Sequence, residues 1–181
     1  MSRDTLLLPT LDPRSVATEC RQWVEGQLAR LSLRVGATVQ LAAPRDDTDL
    51  ELTICELVAY AKNGPPHCDD GGGPADYLQT VAEALWTASH PGVYGHSDLS
   101  DLAGEGEAES AIQVVMRAAL ARDLVARGQP VPVAWLASLG SCSVKRARNL
   151  GSAGELAVEA GQVDATEARR WLQIRGVPGL G

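Results

Sequence analysis

A short stretch near the carboxyl end, residues 132–150, most constrains the fold of this chain. Pro132 is suited to the start of a helix, and mostly apolar residues follow it as far as Leu139. Gly140 is suited to a sharp turn, and Ser143 can cap a second helix by accepting a hydrogen bond from one of its free amides. The pattern therefore predicts two short helices joined by a tight turn.

The second of these helices is expected to have an apolar side and a polar side. Val133, Leu136 and Ala137 of the first helix, and Ala147 and Leu150 of the second, are predicted to face the core. The polar residues left toward solvent are Lys145, Arg146, Arg148 and Asn149. Arginine can donate two hydrogen bonds to guanine, and asparagine can pair with the edge of adenine. This face is therefore a candidate for reading the major groove of DNA.

Further candidate residues flank that face. Ser141 and Ser143, at the start of the second helix, form a candidate phosphate site. Downstream, Asp164 and Glu167 have capping-box spacing and predict a third helix that runs through Ala168, Trp171 and Leu172. The intervening residues 154–163 are interpreted as a small hairpin or wing.

Residues 131–174 resemble the helix-turn-helix and winged-helix DNA-binding superfamily, with a layout similar to excisionase-like, MerR-like and terminase small-subunit modules. The matching residues are Leu136-Ala137, Leu139-Gly140, Ser143 and Lys145-Arg146-Ala147-Arg148. The turn between Gly140 and Ser143 is one residue longer than is common in that superfamily, which leaves the angle of the second helix open. The resemblance implies double-stranded DNA as the partner, with the second helix in the major groove.

Three arginines near the carboxyl end have two alternative interpretations. Arg169, Arg170 and Arg175 are candidates for additional phosphate contacts. They could equally lie on a solvated helix face or form ion pairs with Glu167.

Charge is unevenly distributed along the 181 residues. Residues 128–181 contain six basic and four acidic side chains, a net charge of +2, which leaves −9 on the rest of a chain whose total is −7. A mildly basic tail on an acidic body allows local phosphate contact but disfavours strong non-specific binding to polyanions. The acidic body could also bind a basic protein partner.

The amino-terminal part is predicted to be helical. Asp12 and Pro13 favour a helix start, and Gly36 a stop; Thr48 and Glu51 have capping-box spacing. The longest helix is predicted over 107–127, with an acidic first turn, and it is the expected dimer surface. A weaker pattern predicts a strand over 38–42, and another helix is predicted over 75–89.

The predicted fold is therefore all-α, with an N-terminal helical body and a small C-terminal helix-turn-helix unit that carries a possible wing. The glycine- and proline-rich residues 64–74 form the clearest break in the pattern. We divide the chain into residues 1–128, an acidic body for dimerisation or partner binding, and 129–181, a DNA-binding unit.

Other chemistries receive little support from the sequence. His67, Cys68, His90 and His96 are zinc-ligand types, but they lack paired spacing. The four cysteines are scattered, no signal peptide is evident, and Leu6–Leu8 is too short to span a membrane, which favours a reducing cytoplasm and free thiols. We expect no cofactor and no metal.

Two principal hypotheses follow. The first is a non-enzymatic, homodimeric DNA-binding protein, a transcription regulator of a bacterium, phage or plasmid. The alternative is an acidic helical adaptor or inhibitor that binds protein and makes no nucleic-acid contact. A third, weaker hypothesis is an enzyme that uses residues 67–96.

Overall fold

The computed structural model describes residues 6–36, 49–64, 106, 108 and 110–180. After a short 3-10 helix at Leu8–Thr10, the helices in chain order are α1 (Pro13–Val35), α2 (Asp49–Asn63), α3 (Ala111–Ala126), α4 (Val133–Leu139), α5 (Val144–Ser152) and α6 (Ala165–Ile174). The strands β1 (Val131–Pro132) and β2 (Gln162–Val163) form a small antiparallel pair. The fold is all-α, as the sequence predicts.

Local sequence signals set the ends of the first two helices. Asp12 accepts a hydrogen bond from the amide of Ser15 and so caps α1, and Gly36 ends it in the left-handed conformation, with φ of 67°. Helix α2 ends at Asn63, and Gly64 follows with φ of 77°. These boundaries confirm the predicted start and stop of α1, and α2 ends where the predicted break at residue 64 begins.

Several sequence predictions lie outside the described residues. These are the cap at Thr48, the strand over 38–42, the helix over 75–89, most of the break at 64–74, and all three histidines.

Helix α3 begins later than the sequence predicts. Ser110 caps it by accepting a hydrogen bond from the amide of Gln113 at 3.3 Å. Glu19 of α1 accepts a second bond, from the amide of Ala111 at 3.2 Å. The predicted acidic first turn is therefore wrong, because the first turn from Ala111 contains no acidic residue and a carboxylate of α1 bonds to its amide.

Much of the predicted dimer surface on this helix is covered by the chain's own helices. Helix α3 packs most extensively against α4, and also against α1, α2 and α6. Eleven of its sixteen residues are buried, and the half-buried Gln113, Leu120 and Leu124 lie together on one side. Most of the helix surface is therefore used for packing within the chain.

One hydrophobic core runs through the described residues. It extends from Leu8 to Leu180 and includes residues on both sides of Gly128, where we divide the chain by function. Helix α3, assigned to the body, supplies much of the surface on which α4 and α6 pack. The C-terminal unit is therefore held on the body by shared apolar packing.

A buried arginine joins three parts of this core. Arg122 of α3 is only 2% exposed. Its Nη2 donates to the carbonyls of Ala61 and Lys62 at the end of α2, at 3.1 and 3.2 Å. Its Nη1 donates to the carbonyls of Pro178 and Gly179, at 2.7 and 3.3 Å. One guanidinium thus ties α2 and the C-terminal tail to the central helix.

We predict that Arg122→Met lowers the free energy of unfolding by at least about 2 kcal/mol, because buried carbonyls lose a charged donor. Urea unfolding of the full chain, followed by circular dichroism, measures the change. Arg127→Met is the matched control, since Arg127 is 55% exposed and pairs with Asp123 one turn away; its cost should be about 1 kcal/mol or less. Equal losses in both variants would contradict the role given to Arg122.

The structure also predicts different reactivities for the thiols. Among the described residues, Cys20, Cys55 and Cys142 are free cysteines. Burial raises the pKa of the Cys20 thiol to about 12. Because the thiolate is the reactive form, Cys20 should resist iodoacetamide at pH 8 in the native protein and react after denaturation in urea. Peptide mass mapping measures the labelling of Cys20. Rapid labelling of Cys20 in the native protein would show that this thiol on α1 is accessible to solvent.

Candidate nucleic-acid interface

Helix α4 forms the buried support of the candidate site. All seven of its residues are buried, including the predicted core residues Val133, Leu136 and Ala137. It lies against α3 on one side and contacts α5 on the other. The position of α5 therefore depends on a short helix that is itself fixed in the core.

The turn between α4 and α5 differs from the prediction. Gly140 has φ of −78°, and the left-handed residue is Ser141, with φ of 54°. Glycine is required at 140 for space, because a Cβ there would collide with the ring of Trp171 from α6. The extra residue in the turn is accommodated by the left-handed backbone of Ser141, a conformation that costs energy for a residue other than glycine.

Helix α5 begins and packs as the sequence predicts. The Ser143 side chain accepts a hydrogen bond from the amide of Arg146 at 3.2 Å and so caps the helix. Val144 and Ala147 are buried, and Leu150 is half-buried. The apolar side of the helix thus faces α4 and the core.

The opposite side of α5 carries the predicted polar residues. Lys145, Arg146, Arg148 and Asn149 are all exposed. Successive residues of a helix are about 100° apart, so Lys145, Arg146 and Asn149 point farthest from the buried Val144 and Ala147. Arg148 lies on the flank of this face. Ser152, which the sequence analysis did not single out, is also exposed on this side, and its hydroxyl donates to the carbonyl of Arg148.

The two candidate phosphate ligands at the start of α5 have structural tasks. Ser143 is the cap, and Ser141 is the left-handed residue of the turn; both are half-buried. The first turn of α5 contains no acidic residue, so the positive end of the helix dipole is not offset there.

The three arginines of the carboxyl end make contacts within the chain. Nη2 of Arg169 donates to the carbonyl of Val125, in the last turn of α3, at 3.1 Å. Arg170 forms two hydrogen bonds with Glu167, at 2.7 and 2.8 Å. These bonds lower the pKa of the Glu167 carboxyl below its usual value. The ion-pair interpretation therefore describes Arg170, and Arg169 links α6 to α3.

The predicted wing is a very small hairpin. Glu159 and Gln162 exchange backbone hydrogen bonds at 2.8 and 2.9 Å across Ala160 and Gly161. The positive φ angles of these two central residues, 49° and 80°, match a two-residue hairpin turn. Strand β2 then pairs with β1, with Val131 opposite Val163. The tip carries an acidic residue, so it lacks the positive charge that phosphate contact needs.

Within the part of the chain that the structure describes, no group of three or more His, Cys, Asp and Glu side chains is placed to hold a metal ion. None of the helices described has the length and hydropathy that crossing a membrane requires. Comparisons with models of protein families, with curated proteins and with solved structures gave no significant match to this chain.

Proposed function

We propose that this chain is a non-enzymatic protein that binds double-stranded DNA and regulates transcription in a bacterium, phage or plasmid. In this proposal α5 enters the major groove. The observation that carries it is the exposed polar face of α5, formed by Lys145, Arg146, Arg148 and Asn149 on a helix whose other side is fixed in the core.

The dimensions of α5 suit this role. An α-helix with its side chains is about 10–12 Å across, and the major groove is about 12 Å wide. Nine residues give α5 a length of about 13 Å, enough for side chains from two turns to meet a few base pairs. The cap at Ser143 and the buried Ala147 keep the helix rigid, which reduces the conformational entropy lost on binding.

The angular order of the side chains assigns them different tasks. Arg146 and Asn149 lie near the centre of the outer face, where they would meet base edges. Arg148 lies on the flank, where the groove wall would bring a phosphate close. Base contacts specify the sequence, whereas phosphate contacts position the protein and make binding depend on salt.

The charge of the whole molecule supports selective binding over general binding. The acidic remainder of the chain repels DNA at long range, so affinity has to come from contacts at α5. One short helix supplies few contacts. We therefore expect two copies of the chain on two half-sites about one helical turn apart.

We predict different effects for two alanine variants on a duplex selected from a random library with the full chain. Asn149→Ala should weaken binding by about 1–3 kcal/mol and relax the preference at one base pair. Arg148→Ala should weaken binding to all duplexes similarly. It should also reduce the slope of log K against the logarithm of the salt concentration by about 1 per bound helix. Arg34→Ala, an exposed arginine of α1, is the control and should change neither.

Fluorescence anisotropy at two salt concentrations measures both quantities. If the full chain fails to select any duplex, or if all three variants bind like the parent, the proposal is wrong. If Asn149→Ala reduces only the salt slope, the assignment of α5 to base reading is wrong although DNA binding stands.

The second candidate function is that of an acidic helical adaptor or inhibitor. It is favoured by two exposed apolar side chains on α1, Trp23 at 39% and Leu33 at 85%. Exposed apolar side chains suit contact with another protein. Two observations would favour this function. The chain would bind no duplex at low salt, and its genetic effect would depend on Trp23 and Leu33 instead of on Asn149.

A further inference from the structure

The end of α6 contacts the turn that precedes α5. Nε of Arg175 donates to the carbonyl of Gly140 at 2.6 Å. The same guanidinium lies over the ring of Trp171, with its Cζ 4.8 Å from the ring centroid. The Trp171 ring in turn fills the space that a side chain at residue 140 would need. Three residues thus join α6 to the α4–α5 turn.

The chemistry of this contact is specific to arginine. Gly140 is the C-cap of α4, so its carbonyl lies at the negative end of that helix and has no partner within it. A guanidinium can donate to this carbonyl in its own plane while its flat face stacks on the indole. Lysine has the same charge, but its ammonium lacks both the plane and a donor in the position of Nε.

The turn needs a contact of this kind. Ser141, the next residue, is held in the left-handed conformation, with its amide bonded to Ser138 at 3.2 Å and that of Cys142 bonded to Ala137 at 3.0 Å. A serine persists in that conformation only when its surroundings impose it. The direction in which α5 leaves the turn depends on this backbone.

We propose that Arg175 is a positioning residue for α5, and that it sets the angle at which the polar face meets DNA. The inference rests on the proposed DNA-binding function and gives that site a specificity-determining residue. It differs from the phosphate contact that the sequence suggests for Arg175, because here the guanidinium is directed at a carbonyl and a ring of its own chain.

The first test uses the free protein, so it does not depend on DNA. In NMR spectra of the full chain, Arg175→Gln should shift the indole N–H signal of Trp171 and the amide signals of residues 140–144. It should also speed hydrogen exchange at Ser141 or Cys142 by at least tenfold. The matched control Arg34→Gln removes the same charge from α1 and should leave these signals unchanged. If Arg175→Gln leaves them unchanged as well, the inference is overturned.

The second test measures affinity for the selected duplex and for a random duplex at two salt concentrations. A positioning role predicts at least a tenfold loss for the selected duplex in Arg175→Gln, little change for the random duplex, and an unaltered salt slope. Arg175→Lys should lose nearly as much affinity for the selected duplex, because lysine has no planar group to stack on the Trp171 ring. If Arg175 instead contacted a phosphate, Arg175→Gln would weaken binding to both duplexes and reduce the salt slope, whereas Arg175→Lys would preserve binding. That result would overturn the inference.

The two proposals fail in different ways. If the parent binds the selected duplex and Arg175→Gln binds it equally well despite altered turn signals, the positioning role is overturned and the DNA-binding function stands. If the parent binds no duplex, both are overturned. Arg175→Lys retains the charge and the long stem, so it is the variant to use if Arg175→Gln fails to fold.

Discussion

The burial of Arg122 is the constraint on which the rest of the structure depends. A guanidinium 2% exposed, with no carboxylate among its hydrogen-bond partners in the described residues, is stable only if enough oxygen acceptors surround it. The end of α2 and the C-terminal tail provide four carbonyls, and the helix dipole of α2 adds negative potential. Burial lowers the pKa of Arg122 below its ordinary value, which expresses the cost of keeping the charge there. The central helix, the body and the tail therefore have to assemble together.

The same central helix determines what surface remains for function. Because α3 packs against α1, α2, α4 and α6, it acts as the scaffold of the described fold. Helix α4 is buried against it, so α5 is the outermost layer of this part of the molecule. A candidate recognition helix gains from such a base, because side chains on a rigid support meet a groove with little loss of entropy.

The cationic residues of the C-terminal part divide into two groups once the chain folds. Lys145, Arg146 and Arg148 lie on the exposed face of α5, whereas Arg169, Arg170 and Arg175 are engaged with acceptors inside the chain. The net charge of +2 therefore does not reveal that the exposed cations are concentrated on one helix. This arrangement, with an acidic hairpin tip beside it, suits selective contact better than general attraction to DNA.

The sequence alone determined the features that depend on neighbours along the chain. Asp12, Ser143 and Asp164 cap the helices predicted for them, and the apolar spacing of α5 fixed which residues point outward, because caps and helical faces are set within a few residues. Only the tertiary structure decided the roles of Arg122, Arg175 and Gly140. The hydrogen-bond partners of the two arginines lie 35 or more positions away in the sequence, and Gly140 and Trp171 are 31 apart. No local spacing records such contacts, which exist only once the helices have packed.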